Sequence, residues 1–150
     1  MGTMKRILSP FFLLLLLAGC SSNTITVGLK VELMNITRSS DGTTQVSWRL
    51  VNPNIASYLV DETTQRIYLN GTLAGTIKEH EAVAIPAQSY AHRTTRLVTA
   101  GAAGERALAE AIAAGSANYR TETAITIRLY GDSLDKSSLT SAGKVTVLAK

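Results

Sequence analysis

The chain has 150 residues, 15 of them basic and 11 acidic, for a formal net charge of +4. There is no Lys/Arg run, and only 5% of residues are aromatic, so nucleic-acid binding has no support. With one cysteine, an internal disulfide, a dithiol redox motif and a zinc–thiolate cluster are all excluded.

That cysteine is Cys20, at the end of Leu17-Ala18-Gly19-Cys20. Lys5 and Arg6 precede an almost wholly apolar stretch, Ile7 to Leu17, and Ala18 and Gly19 are small. This is the three-part order of a secretory leader. The apolar run is about a dozen residues, against the roughly 20 a membrane-spanning helix requires. The sequence resembles a bacterial lipoprotein signal: residues 1–19 would be the leader, and Cys20 would carry lipid and begin the mature chain. Residues 20–24 would form a short tether, about five residues and at most ~18 Å when extended. Ser21 in place of Asp suggests the periplasmic face of the outer membrane. Without Lys5 and Arg6, thirteen basic residues face eleven acidic ones, a net +2.

The mature chain reads mainly as strands. Ile25, Val27, Leu29, Val31 and Leu33 alternate with Thr26, Gly28, Lys30 and Glu32, which predicts a strand with one buried face. Asp41-Gly42 predicts a hairpin turn. Val46, Trp48 and Leu50 alternate next, up to Asn52-Pro53-Asn54. Pro53 removes a backbone donor and holds Asn52 extended, so this triplet ends or kinks a strand. Asn52 and Asn54 suit capping of nearby backbone groups. Arg66 to Leu69 predicts a short strand, Asn70-Gly71 a type I′ turn, and Leu73 to Ile77 its return. Gly75 marks a bulge or a close backbone approach. Ala82 to Ile85 is a short strand closed by Pro86, and Ser89 to Thr99 a threonine-rich strand.

Ala102 to Ala114 breaks the pattern. It is alanine-rich, with Leu108 and Ile112 on one side, Gly101 and Gly104 flanking its start, and Gly115 suited to end it. A helix this short must dock to be stable. Thr123, Ile125, Ile127 and Leu129, then Val145 and Val147, return to period two. The fold expected is mainly β: a single antiparallel β-sandwich with one short helix, about residues 102–114.

Three stretches carry a family resemblance: Val46 to Asn54 ending in Asn52-Pro53-Asn54, Tyr68 to Gly75 with Asn70-Gly71 and then Gly75, and Ile85-Pro86-Ala87. In this order they resemble the group 2 late embryogenesis abundant domain, also called the water stress and hypersensitive response domain, across residues 25–148. The resemblance implies an immunoglobulin- or fibronectin-III-like β-sandwich. It also implies a non-enzymatic role in desiccation and other stress, and bacterial members that are often lipoproteins.

Other chemistry finds little footing. Gly131-Asp132-Ser133-Leu134 matches the signature of GDSL esterases, but no histidine follows His92 to supply the base. A serine without a positioned base is a weak nucleophile. His80 and His92 are separated, and zinc requires three or four fitted ligands. Trp48 and Tyr68 suit core or cross-strand positions better than a ligand cage. No catalytic residue, metal site or cofactor is expected. The partners expected are the membrane, through lipid on Cys20, and protein clients; the alternatives are one dedicated envelope partner, or a lipid or small molecule held inside the sandwich.

Overall fold

The structure is a computed structural model that describes residues 28–129 and 133–150. The predicted leader (1–19), Cys20 and the predicted tether (20–24) lie outside the described residues, as do Ile25 and Val27 of the first predicted strand and Gly131 and Asp132 of the esterase-like motif.

Among the described residues nine strands and one helix follow in order: β1 (Lys30–Arg38), β2 (Thr44–Asn52), β3 (Tyr58–Leu69), β4 (Thr72–Glu79), β5 (Val83–Ile85), β6 (Ser89–Arg96), β7 (Val98–Thr99), α1 (Gly101–Ala114), β8 (Ser116–Leu129) and β9 (Ser133–Ala149). They form one curled sheet of order β6-β2-β1-β9-β8-β3-β4-β7, with β5 added to β3. The sheet folds over its own core, giving the expected β-sandwich layout. β6, β2 and β1 make one layer, and β8, β3 and β4 the other. β9 belongs to both: it pairs antiparallel with β8 from Ser133 to Thr146, and parallel with β1 from Thr146 to Ala149. That parallel pairing departs from a purely antiparallel sandwich.

β2 keeps strict alternation, burying Val46, Trp48, Leu50 and then Asn52. β1 does not. Its pairing with β2 skips Met34, so the buried series Val31, Leu33 resumes at Ile36, one residue out of phase. This is a β-bulge, which bends the strand and turns Met34 outward. β3 is much longer than predicted and starts at Tyr58 rather than Arg66. A second irregularity lies between Val60 and Glu62, and beyond it the inward positions include Thr63 and Gln65. The predicted strand Ser89–Thr99 is two strands. Leu97 separates them, buried, with its N–H donating to the Thr44 carbonyl at 2.8 Å.

The helix buries Gly104, Ala107, Leu108 and Ala111, and Ile112 packs partly against the core. Gly104 therefore lies within the helix rather than flanking it. A Cβ there would run into the Ala74 carbonyl of β4, so the missing side chain lets helix and sheet approach closely. Gly115 ends the helix in the left-handed region, φ 73°, its N–H donating to the Ile112 carbonyl at 3.0 Å. Within the first layer Trp48 Nε1 donates to Thr95 Oγ1 at 3.2 Å, and Thr95 Oγ1 donates across to Glu79 Oε2 of β4 at 3.1 Å. The indole thus buries its ring while its single donor is satisfied.

Candidate functional site at the Asn52 end of the sandwich

The first part of the motif set, Asn52-Pro53-Asn54 with Ile85-Pro86-Ala87, gathers at one end of the molecule. Asn52 is 1% exposed, and its amide is fully used. Nδ2 donates to the carbonyl of Ala56 at 2.8 Å and to that of Pro86 at 3.0 Å, while Oδ1 accepts from the Asn54 N–H at 3.0 Å. The Asn54 carbonyl accepts from the Gln88 N–H at 2.8 Å, and Ser57 Oγ accepts from the Ala87 N–H at 3.2 Å. One buried side chain thereby closes the 52–58 loop and staples it to the loop after β5. Pro53 fits because position 53 is exposed, where a missing N–H leaves nothing buried and unpaired. The chain enters the sandwich at this same end: a Cβ on Gly28 would lie 3.8 Å from Asn54 Oδ1 and 3.9 Å from Pro53 Cγ.

The second part of the motif set lies at the other end of the second layer. Asn70 and Gly71 have φ of 47° and 86°, the two positive values a type I′ turn requires. Asn70 Oδ1 also accepts from the Asn118 N–H at 3.0 Å, tying the turn to β8. Gly75 sits opposite Ile67, just past an extra residue in β4, and a Cβ there would strike the Val98 carbonyl and the Leu97 side chain. The two halves of the motif set are therefore not brought together into one pocket.

The outer face of β3 and β8 carries a charged cluster. Arg120 and Glu122 are hydrogen-bonded, Tyr68 Oη donates to Glu122 Oε2 at 3.1 Å, and the Arg120 guanidinium lies 4.0 Å from the Tyr68 ring centroid. Arg120 foremost, with Tyr68 and Arg66, holds the Glu122 carboxyl below its ordinary pKa. Tyr68 is thus a cross-strand surface residue, whereas Trp48 is core. Two shallow grooves of about 310 and 350 Å³ flank this region, bordered by Thr64, Thr126, Lys136 and Ser138 and by Arg66, Glu122 and Thr140. Among the described residues no group of three or more His, Cys, Asp or Glu side chains could hold a metal ion. His80 Nδ1 lies 3.2 Å from Glu62 Oε1 at the surface, and His92 is exposed on β6. No described helix is long and apolar enough to cross a membrane.

Comparison with known proteins agrees with the N-terminal reading. Residues 4–21 match the model of the prokaryotic membrane lipoprotein lipid attachment site, a span that includes Cys20. The class so defined is a lipid-anchored, membrane-associated protein carrying a β-sandwich. No curated protein matches the chain in sequence. In fold it is similar to the solution structure of an Arabidopsis thaliana protein, with 16% identity, 81% of this chain and 79% of that one covered, and a TM-score of 0.53. It also shows likeness to an Archaeoglobus fulgidus protein (17% identity, 79% and 94% covered, TM-score 0.48). A putative late embryogenesis abundant protein is among the similar structures (8% identity, 80% and 71% covered, TM-score 0.41).

Proposed function

We propose that this is a lipid-anchored, non-enzymatic envelope protein of the group 2 late embryogenesis abundant type, which protects membrane-proximal proteins by contact during desiccation and related stress. Cys20 is the lipidated residue, residues 1–19 the removed leader, and residues 25–148 the protective domain on the periplasmic face of the outer membrane. The observation that carries this reading is the lipid attachment site at residues 4–21, set directly before a β-sandwich. The Asn52-Pro53-Asn54, Asn70-Gly71 and Pro86-Ala87 motifs support the family, and the shared fold of the Arabidopsis protein is compatible with it.

A second reading, an adaptor for one envelope partner, draws on β6. This strand ends the sheet order, so one of its backbone edges has no strand partner among the described residues, as strand addition requires. Arg93 and Arg96 along it are the kind of charge that discourages indiscriminate pairing.

Vesicles bearing the lipidated protein, dried together with a labile enzyme and rehydrated, test the first reading. Recovery of enzyme activity should rise with protein density, and no rise at equimolar or greater protein would sink it. In-membrane crosslinking that captures a single dominant partner would select the adaptor.

A further inference from the structure

We infer that the Ile55 end of the sandwich rests on the lipid surface as a second, non-covalent contact beside the lipid anchor. This rests on the lipid-anchored reading above. Ile55 is 89% exposed, more than any other large apolar residue described. It projects from the loop that Asn52 clamps shut, so its exposure is built by a buried hydrogen-bond network rather than left over from a slack loop. Leu134, 57% exposed, and Tyr90, 56% exposed, flank the same end, one on each layer. Leu134 pairs with Arg128, the partner of Leu59, and Tyr90 pairs with Val51.

The loops at the tip of this end are uncharged: residues 51–60 and 82–91 contain no Asp, Glu, Lys, Arg or His, and neither do residues 21–29. Charges begin at its border, with Lys30 opposite Val51, Arg49 over the Tyr90 ring and the Arg128–Asp61 ion pair beside Leu59. The opposite end carries Asp41, Arg96, Lys150 and the Arg38–Glu105 ion pair. Bringing an end against lipid strips water from its groups, which is costly for charges and favourable for Ile, Leu and the ring of Tyr.

The chain fixes which end is near. Gly28 lies against Asn54 and Pro53, next to Ile55, and it is only eight positions along the chain from Cys20. Eight residues reach at most about 29 Å. A lipid surface is therefore the partner that this end meets at high effective concentration, and each further attachment adds to an acyl anchor that is reversible with one chain alone.

The test uses the full lipidated protein in phosphatidylethanolamine–phosphatidylglycerol vesicles. Lipidation consumes the Cys20 thiol, so Ile55→Cys supplies a single site for an environment-sensitive fluorophore, and Leu148→Cys, at the far end, supplies the control. Both side chains are exposed, so neither change disturbs the core. The Ile55 probe should be quenched by spin-labelled lipid chains and should show at least threefold lower iodide quenching than the Leu148 probe. Equal iodide access at both sites overturns the inference while leaving the anchor intact. Shielding from both quenchers also overturns it, and assigns the tip to a protein partner. If the unsubstituted protein carries a reactive Cys20 thiol and stays in the aqueous fraction, the anchored reading fails, and this inference with it.

Discussion

The side-chain amide of Asn52 donates to the carbonyl of Pro86, 3.0 Å away and thirty-four residues further along the chain. The same nitrogen reaches Ala56, and the same side chain's oxygen receives the Asn54 N–H. Asparagine combines two N–H donors with a carbonyl acceptor on a short side chain, which the two donated bonds and one accepted bond here require. Asn52→Ala would leave the part-buried carbonyls of Ala56 and Pro86 without their donor, which costs about 1–3 kcal/mol. Urea unfolding should show this as a lower midpoint with an unchanged slope. A midpoint within experimental error of the parent would remove the capping role and leave Asn52 to a binding one.

Two glycines should resist alanine for a steric reason alone. Gly75 and Gly104 carry no positive φ, yet a Cβ on either meets backbone, at Val98 in the first case and Ala74 in the second. In a helix interior, Gly→Ala is ordinarily worth about 1 kcal/mol of stabilisation. Overpacking against backbone costs about 1–3 kcal/mol. The clash should win, so Gly104→Ala should lower the thermal midpoint. A rise would mean that the helix can move off β4 at little cost.

Acid should weaken the surface ion pairs. Glu105 is hydrogen-bonded by Arg38 and Glu122 by Arg120, and both carboxyls are held below the ordinary 4.5. A carboxyl depressed in the folded state stabilises above its unfolded pKa, and loses that contribution as pH falls below about 4.5 through the folded value. Both groups face solvent, so the effect is small and screened by salt. Glu105→Gln and Glu122→Gln together should flatten the stability profile between pH 5 and 3 in low salt. An unchanged profile would show that other carboxylates govern the acid limb.

Cys20→Ser should move the protein from the membrane fraction to the soluble one and leave its far-ultraviolet circular dichroism unchanged. The sulfur is the atom that would carry the lipid, and residue 20 precedes the first described strand by ten residues. A variant that remains membrane-bound and fully processed would overturn the assignment of Cys20.

The elements readable in the sequence were those whose inward side chains are apolar throughout. β2 alternates cleanly to Asn52, and α1 announces itself by alanine content and by Gly115. The first half of β3 is silent because Thr63 and Gln65 face inward and the bulge at Asp61 shifts the phase. Most of β9 is silent for a related reason: between Leu134 and Lys144 the buried side chain is Ser137, and Leu139 is the apolar residue that packs partly against the core. Pairing decided these strands, and pairing partners lie far off in sequence. The candidate site divides in the same way. Asn52-Pro53-Asn54 and Asn70-Gly71 are local signals and could be read. The meeting of Gly28, Pro53 and Ile55 at one end is tertiary, and a lone isoleucine in a polar loop gives no warning of it.

The double allegiance of β9 has a mechanical consequence. β1 leaves the anchored end, while β9 finishes at the opposite end, where the Lys150 N–H donates to the Arg38 carbonyl at 2.8 Å. Tension between a held N-terminus and a pulled C-terminus would run along the parallel pairing of Asn35–Arg38 with Thr146–Ala149. Its bonds would then be loaded together in shear rather than peeled one after another. A molecule fastened to a membrane that shrinks and swells with its water would meet that strain across a hydrogen-bonded seam.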